Sequence, residues 1–164
     1  MLLKEAEIKA KEIVDALSPF CKPGRIQVCG SIRRKRPTVN DLDIVLIIKD
    51  FWGFDGAVRK LAANGKINMN GSKIQRVTRS DGTLIDLYIA NDDTWGTTVL
   101  IRTGSADHNK RLCTIAKSKG MQLRASGEGL VDLNTEEVIA KDEQSIFAAL
   151  GLKYLEPEDR EVTL

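Results

Sequence analysis

Apolar residues recur at helical spacing at the start of the chain. Residues 3–17 carry one apolar stripe, which predicts an amphipathic helix. The stripe consists of Leu3, Ile8, Ile13, Val14 and Leu17. Pro19, Pro23 and Gly24 are expected to end this helix.

The pattern then changes to short runs typical of strands. Residues 26–29 predict a short strand that closes at a Gly30-Ser31 turn, and the nearly continuous apolar run 42–48 predicts a central strand. Residues 51–63 predict a helix. The runs 73–79 and 83–90 flank Ser-Asp-Gly, which predicts a β-hairpin.

The second half of the chain mixes helices and short strands again. Helices are predicted over 94–102, from Gly104-Ser105 to about 119, and over 142–150, with strands near 121–124, 129–133 and 137–140. The pattern therefore predicts an α+β fold with two parts. Residues 1–91 form an α+β lobe with a mixed or antiparallel sheet, and residues 92–164 form a small α/β lobe.

Composition narrows the class of protein. Hydrophobic residues make up 42% of the 164 residues, and no apolar run approaches the ~18 residues of a membrane span. The three cysteines show no CxxC spacing and there is one histidine, so a zinc site of the usual kind is not expected. Reduced thiols predict an intracellular protein, cytoplasmic in a bacterial or viral setting or associated with the nucleoid.

The charges are segregated along the chain, although the net charge is only +2. Residues 22–40 and 59–80 each carry six basic side chains and no acid, and 102–124 carry six against one acid. From residue 126 onward there are ten acids and three bases. Three basic zones favour a polyanionic partner, nucleic acid first, although any single zone also fits an ordinary solvated face.

Three aspartates form the candidate chemical site. Asp41 and Asp43 are spaced i, i+2 at the start of a predicted strand, so both side chains point to one face. Asp86 lies inside the apolar run 83–90 and can join them if the two strands pair. Carboxylates this close need a cation, and two Mg²⁺ ions, or Mn²⁺ in their place, are the expected cofactor. A D-x-D alone also fits a strand end that caps a turn.

Two Gly-Ser turns are candidate contacts for a phosphate or nucleotide. Gly30 and Ser31 allow close backbone approach, and Arg34 can hold a phosphate through two N–H groups. Gly104 and Ser105 repeat this arrangement before a helix that carries Asn109. A bare Gly-Ser also fits an ordinary turn.

These residues, in this order, resemble the family X DNA polymerases. The motifs are VCGSIRR at 28–34, DLD at 41–43, IDL at 85–87, TGS at 103–105 with Asn109, and LKYLEPEDR at 152–160. The resemblance runs from about residue 8 to the C-terminus. It implies a nucleotidyltransferase palm over 1–91, followed over 92–164 by a thumb (or fingers) lobe that contacts the nucleotide and the nascent base pair.

The resemblance also implies roles for single residues. Asp41 and Asp43 would bind both metals, and Asp86 would complete the catalytic metal site beside the primer 3′-hydroxyl. Two further sets would bind the substrates. The nucleotide-binding set is Gly30, Ser31, Arg34, Gly104, Ser105 and Asn109, and the DNA-binding set is Lys73, Arg76, Lys110 and Arg111.

Several positions depart from the family pattern. Ile101-Arg102 replaces the aromatic pair beside the sugar, which predicts weak sugar selectivity, and Cys113 replaces a basic residue that reads the template, which predicts low fidelity. Leu84 replaces an arginine that contacts the primer phosphate. Because the palm helix begins almost at Met1, a minimal form without the preceding lyase segment is expected.

The expected function is template-directed addition of dNTPs to a primer, most simply in short-gap repair, by a monomer acting on gapped or primed DNA. The alternative is a nucleotidyltransferase acting on a non-template acceptor: a small molecule, a protein or an RNA end. A non-catalytic nucleic-acid-binding module would require a broken acid triad, and all three aspartates are present.

Overall fold

The computed structural model describes residues 1–161 and contains six α-helices and eight β-strands within that range. The helices are α1 (Leu3–Leu17), α2 (Gly30–Arg33), α3 (Phe51–Leu61), α4 (Trp95–Thr103), α5 (Ala106–Ser118) and α6 (Glu143–Ala149). The strands are β1 (Cys21–Val28), β2 (Asp41–Ile48), β3 (Lys66–Asn70), β4 (Ile74–Thr78), β5 (Leu84–Ile89), β6 (Met121–Arg124), β7 (Gly129–Asp132) and β8 (Val138–Ala140).

The first sheet is mixed and has the order β1-β2-β5-β4-β3. Its central pair, β2 and β5, is parallel, whereas the other pairs are antiparallel. One face packs on α1 and α3 around the buried side chains of Ile13, Phe54 and Leu87. The alternation along β2 and β5 leaves the opposite face free for polar side chains, and this face carries the candidate site.

The second sheet is small and antiparallel, with the order β6-β7-β8. It packs with α4, α5 and α6 around Leu112, Leu130 and Phe147. A third buried group, Cys29, Val45, Ile47, Ala90 and Val99, joins β2 to α4. The two sheets are therefore connected by continuous packing, and the division at residue 91 stays a prediction. None of the helices within residues 1–161 is long and apolar enough to cross a membrane.

Most predicted elements are present, and the differences have physical reasons. The helix 3–17, the central strand and the 80–82 hairpin lie where the pattern predicts them. Ile8, however, is 64% exposed, because Ala6 and Ala10 form the face that packs on the sheet. Small residues allow close packing there, and the larger residue of the apparent stripe faces solvent.

Two local predictions differ from the structure, and one strand was not predicted. Pro23 and Gly24 do not follow a helix but lie within β1, where the pairing with β2 is irregular. Gly30-Ser31 is the start of the one-turn helix α2 rather than a simple turn. The sequence also gave no signal for β3, a largely exposed edge strand that β4 holds through backbone pairing.

Candidate active site

The three predicted aspartates converge on the open face of the first sheet. Asp43 and Asp86 are register partners in the parallel β2–β5 pair, and Asp41 precedes Asp43 by two residues. All three side chains therefore point to the same face. Carboxylate oxygens of the three lie within 4.8 Å of one another. The pairing of β2 with β5, which the prediction from the sequence required, is therefore present.

The electrostatics of this acid cluster centre on Asp43. Burial, followed by the charges of Asp41 and Asp86, raises the pKa of Asp43 to about 7. The Tyr88 hydroxyl donates a hydrogen bond to Asp43 Oδ1 at 3.3 Å, which acts in the opposite direction. The raised pKa means that the charged form of Asp43 is disfavoured unless a cation binds. A set of close carboxylate oxygens fits hard divalent ions such as Mg²⁺ or Mn²⁺.

Gly30 makes room for the acid cluster. Its φ is +60°, and a Cβ at this position would lie 2.1 Å from Asp43 Oδ2. Any side chain would displace the carboxylate as well as strain the backbone. The glycine in the first motif thus brings the start of α2 against Asp43.

A polar cavity of about 310 Å³ opens beside Asp41 and Asp43. Its walls combine the acids with hydroxyl and guanidinium groups; the lining residues are Ser31, Arg34, Arg36, Thr38, Asn40, Asp41 and Asp43. Cations and carboxylates on one wall are suited to a polyphosphate that carries bound metal ions.

Arg34 connects the first Gly-Ser motif to the second. Its Nη1 donates to the carbonyl of Thr103 at 2.6 Å, and its Nε pairs with Glu161 at 2.5 Å. Gly104 has φ +73°, and a Cβ there would lie 3.0 Å from Arg34 Nη1. The Thr-Gly-Ser motif therefore packs on the arginine that the sequence assigns to the triphosphate.

Two predicted nucleotide contacts in the second lobe form hydrogen bonds within the protein. The Ser105 hydroxyl donates to the carbonyl of Arg160 at 2.7 Å and accepts from the His108 N–H, so it caps α5. Asn109 donates to the carbonyl of Ile101 at 2.8 Å, while its buried Oδ1 has no hydrogen-bond partner within residues 1–161. The Asn109 side chain would have to turn before a nucleotide could reach that oxygen.

The predicted DNA-binding residues divide into two groups. Lys73, Lys110 and Arg111 are exposed, and Lys73 lines a cavity of about 600 Å³ together with Tyr88 and Arg102. Arg76, by contrast, is placed against Asp86, with Nε 2.6 Å from Oδ1 and Nη2 3.3 Å from Oδ2. Its side chain remains 48% exposed.

The residues predicted to lie beside the sugar have different environments. Ile101 packs against the second core, whereas the Arg102 guanidinium lies 4.1 Å from the centre of the Tyr88 ring. Tyr88 in turn bonds Asp43, so α4 is linked to the acid cluster. Sequence reasoning missed Tyr88. Its position two residues after Asp86 on one strand is the signal that could have found it.

A buried ion network between the lobes was also missed. Glu143 accepts from Arg33 and from Arg160, each at 2.5 Å, and Arg33 also donates to the Thr103 hydroxyl at 2.7 Å. Arg160 is fully buried. Burial also lowers the pKa of His108, which packs against Phe147, to about 4. A single carboxylate is thus shared by two guanidinium groups, and the network joins α2 to α6 and to the segment around Arg160.

Comparisons with known proteins agree with this architecture. Residues 98–161 match the family model described as DNA polymerase beta thumb. The chain is 30% identical to DNA polymerase/3′-5′ exonuclease PolX of Bacillus subtilis over 155 residues, covering 93% of this chain and 27% of the relative. It is 25% identical to DNA polymerase lambda of Rattus norvegicus over 187 residues, covering 96% and 32%. The chain thus spans about a quarter to a third of the length of these relatives.

The fold is that of polymerase beta. Crystal structures of Leishmania infantum polymerase beta, a ternary P/T complex and a ternary gap complex, both superpose with a TM-score of 0.80. Sequence identities are 19% and 18%, and the matches cover 99% of this chain and 77% and 71% of those chains. An acid cluster on a mixed sheet, followed by a thumb, defines the polymerase beta class of fold. Over nearly its whole length the chain is similar to DNA polymerases of this class.

Proposed function

We propose that this chain carries the nucleotidyl-transfer site of a template-directed DNA polymerase. It adds dNTPs to the 3′-hydroxyl of primed or gapped DNA, with residues 1–91 as the palm and 92–164 as the thumb lobe. The observation that carries the proposal is the convergence of three carboxylates beside a cavity lined by Ser31 and Arg34. The similarity to two DNA polymerases, PolX and DNA polymerase lambda, supports the polymerase class.

The acid cluster has the central role. Asp41 and Asp43 would hold two divalent ions, Mg²⁺ or Mn²⁺, and Asp86 would complete the set of ligands beside the primer hydroxyl. When bound, such ions lower the pKa of the attacking hydroxyl and neutralise the leaving pyrophosphate. Gly30 keeps the space that Asp43 occupies, and Tyr88 orients that carboxylate through its hydrogen bond.

The cationic and amide groups bind the substrates. Ser31 and Arg34 bind the triphosphate, and the Gly104-Ser105 turn with the free Asn109 oxygen contacts the sugar and base. Lys73, Lys110 and Arg111 are exposed and bind the DNA backbone. We further propose that the protein acts as an intracellular monomer in short-gap repair. Weak sugar selectivity follows from Ile101-Arg102, and low fidelity from Cys113.

Primer extension tests the proposed reaction. The chain is incubated with gapped duplex, dNTPs and Mg²⁺, with and without a template strand, and with Asp43→Asn as the control. Template-dependent extension that Asp43→Asn lowers by about 10³-fold or more, with DNA binding retained, supports the proposal. Extension that does not depend on the template favours the non-template acceptor reaction. Activity that survives Asp43→Asn contradicts the site.

Deoxy- and ribonucleotides, compared on the same substrate, test the sugar position. A preference below about 10³-fold for the deoxynucleotide, or ~4 kcal/mol, is expected because no aromatic pair lies beside the sugar. An error rate as low as that of a proofreading polymerase would contradict the expected low fidelity.

A further inference from the structure

Arg76 contacts both oxygens of one aspartate in the acid cluster. It lies directly opposite Asp86 in the antiparallel β4–β5 register, and its two nitrogens approach Oδ1 at 2.6 Å and Oδ2 at 3.3 Å. Asp86 is only 3% exposed. The oxygens that Asp86 would offer to a divalent ion are therefore engaged by a side chain of the protein itself.

Within residues 1–161, Arg76 is the only cation that forms an ion pair with any of the three aspartates. The next guanidinium, that of Arg102, lies over the Tyr88 ring and reaches Asp43 only through the tyrosine. Arg76 therefore offsets the mutual repulsion of the carboxylates while no metal is bound. Once divalent ions bind the same carboxylates, the guanidinium becomes a neighbouring like charge.

Arg76 has space to move away. Met69 is its partner on the edge strand β3 and is 46% exposed, so the face beyond Arg76 is open. Leu84 shares the Asp86 face of β5, is 40% exposed and carries no charge. Arg76 is thus the basic side chain placed to bind an anion that crosses this part of the sheet beside the acid cluster. A guanidinium that already forms a two-nitrogen contact with a carboxylate suits a phosphodiester equally well.

We propose that Arg76 is a positioning residue that exchanges Asp86 for a backbone phosphate of the bound nucleic-acid strand when the metal site fills. The inference rests on the proposed function, because it requires metal and a strand end at this site. Before binding, Arg76 holds Asp86 in place. After binding, it leaves both oxygens of Asp86 to the metal and fixes the strand beside the cluster.

Metal affinity without DNA or nucleotide tests the first half of the exchange. Mn²⁺ binding is measured by electron paramagnetic resonance for the wild type, Arg76→Gln and Arg79→Gln. Arg79 lies just beyond β4, pairs with Glu12 rather than with the cluster, and its substitution removes the same charge. Arg76→Gln is expected to bind Mn²⁺ about five- to tenfold more tightly, since a competing cation is gone, whereas Arg79→Gln changes little.

DNA affinity tests the second half of the exchange, and it is expected to change in the opposite direction to the Mn²⁺ affinity. Arg76→Gln is expected to weaken binding of primed DNA, in the presence of Mn²⁺, by about tenfold and to reduce the salt dependence by about one phosphate contact. Tighter metal binding together with weaker DNA binding is the signature of exchange. A purely structural ion pair would change the melting temperature but would not move these affinities in opposite directions.

The outcomes separate this inference from the proposed function. If Asp86→Asn weakens Mn²⁺ binding but Arg76→Gln leaves it unchanged, the exchange is overturned and the metal site stands. If Asp41→Asn and Asp86→Asn both leave Mn²⁺ binding unchanged, the proposed function fails and the inference fails with it. Equal DNA affinity and salt dependence for Arg76→Gln and Arg79→Gln would overturn the contact with phosphate.

Discussion

The acid cluster and the nucleotide-facing part of the second lobe are built differently. Backbone register brings Asp43 beside Asp86, and the side chains of Tyr88 and Arg76 then contact the two carboxylates. Across the cleft, Arg34 and Ser105 are held by hydrogen bonds to Thr103, Glu161 and Arg160. The first region is a preformed group of like charges that needs a cation. In the second region Arg34 and Ser105 already have protein partners, and a ligand must compete with those groups for them.

Gly30→Ala should break the preformed region with the largest effect. The new Cβ would meet Asp43 Oδ2, so we expect Mn²⁺ affinity and primer extension to fall by about 10²-fold or more. Gly24→Ala is the matched control. Its φ is +70° but a Cβ there meets nothing within 4 Å, so it carries only the ~1–2 kcal/mol of backbone strain. Equal activity losses in both variants would contradict a steric role for Gly30.

Glu143→Ala should lower the stability of the folded protein. It leaves the buried Arg160 and the partly buried Arg33 without their shared carboxylate, which we expect to cost ~3 kcal/mol. The melting temperature should fall by about 6–12 °C. The control Asp93→Asn breaks an exposed ion pair with Lys141 and should change the melting temperature by no more than about 2 °C. A Glu143→Ala protein as stable as Asp93→Asn would show that the network does not hold the lobes together.

The pH dependence of stability should reveal the repulsion within the acid cluster. Because folding raises the pKa of Asp43 to about 7, the folded state binds its proton more tightly than the unfolded state does. The contribution of this proton to the free energy of unfolding is fully present below pH ~4 and is lost as the pH rises to 7.

Melting in a metal chelator at pH 5.5 and pH 8 checks this expectation. From pH 5.5 to pH 8 the free energy of unfolding of the wild type should fall by ~1–2 kcal/mol relative to that of Asp43→Asn. This corresponds to a difference in melting temperature of about 3–6 °C. The comparison with Asp43→Asn cancels the opposite contribution of His108, whose pKa is lowered by burial. A melting temperature that changes by the same amount with pH in the wild type and in Asp43→Asn would contradict the raised pKa of Asp43.

Glu161→Gln should produce the smallest effect, in the second region. Glu161 pairs with Arg34 and lies 3.6 Å from Arg36. Its carboxylate therefore competes with the triphosphate for the Arg34 guanidinium. We expect dNTP binding to tighten about threefold, as for a weak, partly exposed pair. Glu158→Gln, with the same change of charge nearby, is the control. Equal dNTP affinity in the two variants would show that Glu161 does not compete.

Local patterns predicted much of the fold and the centre of the site. The Ser-Asp-Gly hairpin and the alternation of β2 and β5 are properties of adjacent residues, and they predicted both strands. The parallel β2–β5 pairing that brings Asp86 to Asp41 and Asp43 was only a condition of the prediction. The partners of Arg33, Arg34 and Arg76 were not predictable in the same way. Glu143 is 110 residues away from Arg33, and Glu161 is 127 residues away from Arg34.

The failures have a common cause. The pairing of Arg76 with Asp86 depends on which residues of two strands stand opposite each other, and the turn sequence does not specify that register by itself. The exposure of Ile8 depends on Ala6 and Ala10, whose small size lets the helix pack closely on the sheet. The edge strand β3 depends on backbone pairing with β4, and its exposed side chains leave no apolar pattern.

Anomalous diffraction from crystals soaked with Mn²⁺ and a non-hydrolysable dNTP analogue tests the central claim most directly. The account predicts Mn²⁺ peaks about 2.0–2.3 Å from oxygens of Asp41, Asp43 and Asp86, beside the phosphates, with Arg76 withdrawn from Asp86. Peaks elsewhere, or Mn²⁺ at Asp41 and Asp43 with Asp86 still bound to Arg76, would contradict a metal site formed by all three carboxylates.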